Sequence, residues 1–299
     1  MKFLAGYVMR GPMQAILVTT LGAMLSLILP PLSYLSGATV GLVTLRLGAW
    51  RGLTVAGGAA LAAGLLSLLT VRTALPGGAY FVVVWLPVIV LAVHLKRTVS
   101  LARTLGLAAV FGGAMIAALH VGVADPAAFW QKVFEDLLKQ AGRGPEPAAE
   151  MQEAFRLMTG AMAAALTLSL VASLFIARWW QAQLYNPGGF QSEFHALRFS
   201  RVLGVVTLVT AAGALAGGSV TALAGDLLLV WLVLHLLHGL AVAHGLVKKG
   251  GANALWLFGM YALMLWPPFL PPTVITLAAL GFADEWFDFR SFFGKKEEV

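Results

Sequence analysis

The chain has 299 residues, 60% of them hydrophobic and only 11% charged, with a net charge of +7 and no cysteine. A water-soluble domain carries about a quarter charged residues and about half apolar ones, so this composition excludes a soluble globule, which would have too little polar surface to face water. The missing cysteine excludes disulfides, thiolate metal sites and cysteine nucleophiles.

In chain order, Lys2 and Arg10 precede the first apolar run, and no cleavable signal peptide is evident. Ten apolar segments follow: Met13–Leu29, Leu32–Leu47, Leu53–Thr70, Ala79–Leu95, Leu101–Val121, Phe155–Ala177, Val202–Ala216, Val220–Val247, Ala254–Trp266 and Phe269–Ala283. A spanning helix needs roughly 20 mostly apolar residues. The expected fold is therefore all-α, a polytopic transmembrane helical bundle of about 8–10 membrane segments. It forms a single integral membrane domain over residues 1–299. Pro30 and Pro31 stop the first helix, since proline has no amide donor. Pro87, near the middle of the fourth segment, is expected to kink it and free a carbonyl. The last two segments are short, and read either as two thin spans or as one re-entrant hairpin. Small residues recur at Gly57–Ala60, Gly106, Gly113, Gly160 and Ala161, and mark faces where helices pack closely in lipid.

Basic residues set the orientation. With the N-terminus inside, all 20 Lys and Arg residues except Arg72, Lys132, Lys139, Arg143 and Arg156 lie on the inner side. The positive-inside rule then gives N-in/C-in in a bacterial inner (cytoplasmic) membrane. That placement accounts for the positive charge and calls for no nucleic acid.

Two connections carry structure of their own. In the outward insertion 122–154, Asp125-Pro126 offers an N-cap and a proline at the first helical position. Phe129, Trp130, Val133, Phe134, Leu137 and Leu138 then recur at helical spacing, until Gly144-Pro145-Glu146-Pro147 breaks the pattern. This is an amphipathic helix, either a cover on the bundle or a lid over a substrate path. In the inward loop 178–201, Asn186-Pro187-Gly188-Gly189-Phe190 has turn chemistry. Ser192 is placed to cap a short helix carrying Phe194, His195, Leu197 and Arg198, whose basic residues suit anionic headgroups.

Ionisable side chains at bilayer depth are costly and are functional candidates by default. His235 and His238 fall near the middle of the eighth segment and share one helix face at i, i+3. Trp231 lies one turn earlier and Asp226 nearer the outer end. The pair reads either as neutral imidazoles bonded between helices or as a site for a proton or polar ligand, with Trp231, His235, His238 and Asp226 as candidate ligand-binding residues. A zinc site wants three or four ligands, so no metal and no cofactor is assigned. No HExxH, Walker loop or serine–histidine–acid arrangement is present, and no catalytic residue is assigned.

Past the last segment come Asp284, Trp286, Phe287, Asp288, Arg290 and Phe293. They read as an aromatic anchor at the membrane–water boundary, or as a docking motif for a cytoplasmic protein partner.

Three stretches resemble the YybS-like family of bacterial multi-pass membrane proteins, proteobacterial branch: Gly281–Phe289, Leu184–Arg198 and Tyr7–Ala15. The resemblance implies an integral inner-membrane location and one helical bundle. It also suggests a distant kinship to the substrate-binding subunits of energy-coupling-factor transporters. No ligand residue carries over from it.

Two functions follow as expectations. The first is a small-molecule binding or transport-type membrane subunit. The second is a scaffold or accessory subunit that docks a cytoplasmic partner through Asn186–Phe190 and the C-terminal segment. A membrane enzyme ranks third, because carboxylates and basic residues do not cluster at one membrane face.

Overall fold

The computed structural model describes residues 1–142 and 150–292. The expected break at Gly144–Pro147, together with Arg143, Phe293, Lys295 and Lys296, lies outside them. The described residues are mostly helical, and no strand occurs among them. Its helices are α1 (Lys2–Val8), α2 (Pro12–Leu25), α3 (Leu32–Leu47), α4 (Ala49–Val71), α5 (Leu75–Tyr80), α6 (Leu86–Thr98), α7 (Leu101–Gly122), α8 (Pro126–Gln140), α9 (Glu150–Tyr185), α10 (Gly189–His195), α11 (Arg201–Leu215), α12 (Ser219–Lys249), α13 (Leu255–Leu265) and α14 (Leu270–Phe287). The apolar segments read from the sequence fall on these helices, except that Met13–Leu29 runs past the end of α2 and Ala79–Leu95 spans the end of α5, the turn Phe81–Trp85 and most of α6.

Among the described residues, five stretches are long and apolar enough to cross a membrane, Ala49–Thr70, Leu75–Thr98, Leu101–Gly122, Met151–Tyr185 and Val220–Lys249, and a sixth is added if the bent pair α13–α14 counts as one span. The helices α2, α3 and α11 are apolar but shorter. At 1.5 Å per residue they fall short of the roughly 30 Å hydrocarbon layer. α13 and α14 are bent by 100° at their junction, where Pro267 and Pro268 open a 3₁₀ turn. The pair is therefore one broken span or a re-entrant loop.

Pro87 is accommodated in a specific way. The turn before it, Phe81–Trp85, is a π-helix. Proline removes an i→i−4 bond and its ring presses on the preceding turn, and one wide turn relieves both problems while the helix continues.

The chain forms two compact units, one of Met1–Ala108 with Leu168–Phe194, the other of Ala109–Thr167 with His195–Val299. In the first unit every residue of α3 from Ser36 to Leu45 is buried, the mark of a helix enclosed on all sides. Its small residues allow this. A Cβ on Gly41 would sit 2.9 Å from the Ala177 Cβ of α9, and Ser36 donates to Thr19 O at 2.7 Å while accepting from Trp85 Nε1 at 3.0 Å.

The connection 178–201 begins as helix, because α9 runs on through Arg178 to Tyr185. Asn186–Gly188 turn the chain, with Gly188 at φ +83°, and α10 folds back on α9. Phe190 and Phe194 pack on Phe175 at ring distances of 5.3 and 5.6 Å, and Arg178 holds Glu193 by both Nε and Nη2. Ser192 does not cap α10. That helix starts at Gly189, and the Ser192 hydroxyl donates to Gly189 O.

In the second unit α8 forms as its sequence dictates. Asp125 caps it by accepting from Ala128 N at 3.1 Å. Trp130 Nε1 then donates to Thr159 Oγ1 of α9 at 2.8 Å, and Phe134 meets Phe155. The core of the unit is the crossing of α12 and α14, where two glycines meet. A Cβ on Gly239 would overlap Leu277 O, and one on Gly281 would overlap His235 O. The two backbones are in direct contact, as small residues permit in helices that pack without a hydrophobic drive.

Candidate functional site: a buried histidine–carboxylate cluster

The close crossing brings the end of α14 against the middle of α12. His235 and His238 on α12 meet Asp284 and Glu285 on α14, and Arg290 reaches in from the 3₁₀ turn that follows. All five are buried, with Asp284 and His238 at 0% exposure and Glu285 at 1%.

Asp284 is saturated. Its Oδ2 accepts from Arg290 Nη2 at 2.8 Å and lies 3.0 Å from His238 Nε2, while its Oδ1 accepts from Phe289 N at 2.9 Å. Arg290 is equally committed. Its Nη1 donates to His195 O at 2.8 Å and Leu197 O at 2.9 Å. One guanidinium fork thus ties the C-terminal turn to the chain entering α11. Such planar, charge-assisted contacts suit arginine and not lysine. The Phe199 ring stands edge-on to His238.

His235 and Glu285 are different. His235 Nε2 lies 2.9 Å from Thr207 Oγ1, and that hydroxyl donates to Leu203 O at 2.9 Å. A hydroxyl has one proton, so the imidazole N–H is the donor to Thr207. His235 Nδ1 lies 3.4 Å from Glu285 Oε1, but without the alignment of a hydrogen bond. Among the described residues, neither oxygen of Glu285 has a hydrogen-bond partner. Beside it α11 presents Gly204, where a Cβ would stand 2.7 Å from Glu285 Oε2.

The other sequence candidates are placed elsewhere in the unit. Trp231 Nε1 donates to Thr210 Oγ1 at 3.2 Å. Asp226 lies roughly 13 Å before His235 along α12, at 1.5 Å per residue. It is buried and satisfied, by His120 Nε2 at 2.7 Å and Gly160 N at 2.9 Å. A Cβ at position 160 would stand 2.6 Å from Asp226 Cα, so the glycine is what lets α9 approach. Asp226→Ala would leave the half-buried His120 without its partner and remove the second acceptor of Gly160 N, at a cost of about 2 kcal/mol. A lowered thermal midpoint in detergent is the expected result, with Asp226→Asn losing less. An unchanged midpoint for the alanine variant would contradict the contact.

Of the C-terminal motif, Asp284 and Arg290 are internal, and Phe287 is 64% exposed. Asp288 caps α14 at φ +48° and accepts from Arg198 on the surface. Trp286 lies under Arg201, 5.8 Å away. In the first unit Asn186, Pro187 and Gly188 are exposed, with Gly189 and Phe190 half-buried. Tyr185 supports the turn by lying under Arg46 at 4.3 Å. Outside the apolar helices, burial, with His244 and Lys248 beside it, holds His195 below the usual histidine pKa.

Sequence reasoning missed Glu285, Thr207 and Gly204. The available signal was Asp284-Glu285 directly following an apolar segment, with Gly281 one turn before Glu285. Among the described residues no group of three histidine or acidic side chains is placed to hold a metal ion. No protein-family model, no curated protein and no solved structure matches this chain.

Proposed function

We propose that this chain is an integral inner-membrane subunit of transport type, which binds a polar small molecule at the His235–Glu285 edge of the buried cluster. One observation carries the reading. Glu285 is a fully buried carboxylate, on an apolar helix, whose two oxygens accept no hydrogen bond from any described residue. Burying a carboxylate this way is expensive, and ionisable groups inside membrane helices mark ligand and ion paths. Asp284, by contrast, is filled by the protein itself. The placement of Lys and Arg supports N-in/C-in, with the cluster towards the cytoplasmic side. The three stretches that resemble the YybS-like family accord with the same location.

The scaffold reading draws less support, because Asp284 and Arg290 are spent on each other. It keeps the exposed Asn186–Gly188 turn, Phe287 and Asp288.

Native mass spectrometry on protein purified gently from its own membranes tests both readings. A stoichiometric small molecule is expected on the wild type, and its loss is expected from His235→Ala and from the near-isosteric Glu285→Gln. Retention by both variants, or lipid alone on the wild type, overturns the assignment. A bound protein lost on trimming the chain after Trp286 would favour the scaffold.

A further inference from the structure

We infer that His235 and Glu285 together form a buried site for one exchangeable proton, the coupling ion of this subunit. The coupling role rests on the transport reading above; the proton itself follows from geometry.

The tautomer of His235 is dictated by its neighbour. Thr207 gives its only proton to Leu203 O, so His235 Nε2 carries the hydrogen that Thr207 accepts. If the ring is neutral, Nδ1 then bears a lone pair. Nδ1 lies 3.4 Å from Glu285 Oε1, off the line of a hydrogen bond. With the carboxylate ionised as well, two electron-rich atoms would confront each other in a dry interior, where unpaired charge is strongly penalised.

No other described group relieves this. From α11 the carboxylate meets Gly204, and Arg201 lies over the Trp286 ring. On α12, His238 is engaged by Asp284. On α14, the adjacent Asp284 adds a second negative charge, which Arg290 answers. Arg290 is itself spent on Asp284, His195 O and Leu197 O. Among the described residues His235 is the one basic group within 4.0 Å of Glu285.

One proton resolves the conflict in either of two arrangements. On Nδ1 it makes an imidazolium–carboxylate pair; on Oε1 it makes a carboxylic acid bonded to a neutral imidazole. Transfer between them breaks one N–H bond and forms one O–H bond, and the pair stays neutral overall. Releasing the proton leaves one uncompensated negative charge buried between α11, α12 and α14. That state is stable only once water or a ligand reaches the carboxylate, and this ties proton release to opening of the site.

The test is spectroscopic, on full-length protein in lipid nanodiscs at neutral pH. Infrared spectra in H₂O and D₂O report a buried carboxylic acid, and ¹⁵N NMR of labelled histidine reports the His235 imidazolium. One of the two signatures is expected in the wild type, and Glu285→Gln should abolish it while keeping the fold. His235→Gln is the second variant, and should change the carboxyl band without touching other carboxylates. A neutral His235 beside an ionised Glu285 overturns the inference. If that result comes with a small molecule retained in native mass spectra, the transport reading survives alone. If the proton signature appears with no small molecule bound, the proton site stands and the transport reading falls.

Discussion

Gly281→Val is expected to be the most damaging single substitution in the second unit. The added side chain would enter the backbone of α12, with His235 O overlapped and Gly239 N only 2.6 Å from the new Cβ. The obstacle is main chain, so no rotamer change relieves it and α12 and α14 must part. Overpacking alone costs about 1–3 kcal/mol. Here the separation also forfeits the van der Waals contact that holds helices together in lipid, and it pulls Asp284 and Glu285 off their histidines. A loss of about 3 kcal/mol or more is expected. Gly239→Leu should behave alike, since Leu277 O occupies its space. Gly225→Ala and Gly259→Ala are controls, because nothing lies within 4 Å of a Cβ at either site. They should be neutral or stabilising by up to about 1 kcal/mol. Thermal unfolding in detergent measures all four. A Gly281→Val protein that melts with the wild type would mean that the two backbones do not touch.

Asp284→Ala is expected to follow closely. The change removes the acceptor for Arg290, His238 and Phe289 N at once, and leaves a guanidinium buried without its counter-charge. Breaking one side of a buried ion pair costs about 3–5 kcal/mol. Arg290→Met alone should also be harmful, because Asp284 loses its cation and the carbonyls of His195 and Leu197 lose their donor. The double variant Asp284→Leu/Arg290→Met should recover much of the loss, since an apolar pair of similar volume needs no charge balance. The signature is therefore strong coupling in a double-mutant cycle of unfolding free energies. Additive effects, or an Asp284→Ala cost below about 1 kcal/mol, would place these groups in water instead.

Local chemistry made much of the molecule legible. Asp125-Pro126 and the apolar spacing after it specify α8 from its own residues, and the cap bond to Ala128 N is where that pattern puts it. Other local rules were read correctly in kind but not in form. Pro87 does perturb its helix, yet through a π-turn at Phe81–Trp85, which depends on how the surrounding turns share the strain. Hydropathy marked where α9 loses its apolar character, near Ala177, but the helix runs on to Tyr185. Hydropathy reports solvent, whereas the helix end is decided by backbone chemistry at Asn186-Pro187-Gly188.

The buried cluster was legible by half. The i, i+3 spacing of His235 and His238 put them on one face of a buried helix, which is a property of helix geometry alone. Their acidic partners could not be read the same way. Asp284 sits 46 positions beyond His238, in a segment whose aromatics and charges suit a membrane surface equally well.

The sequence by itself determined that the chain is all-α, that several of its helices suit a bilayer, and which histidines share a face. These follow from composition, 3.6-residue periodicity and capping, all of which act within one helix. Only the tertiary structure decided that Asp226 serves His120 and Gly160, that Asp284 is filled by Arg290, and that Glu285 is left open beside His235. Those outcomes hang on where Gly239 and Gly281 allow two distant helices to touch, and a contact between backbones leaves no period in the sequence to be read.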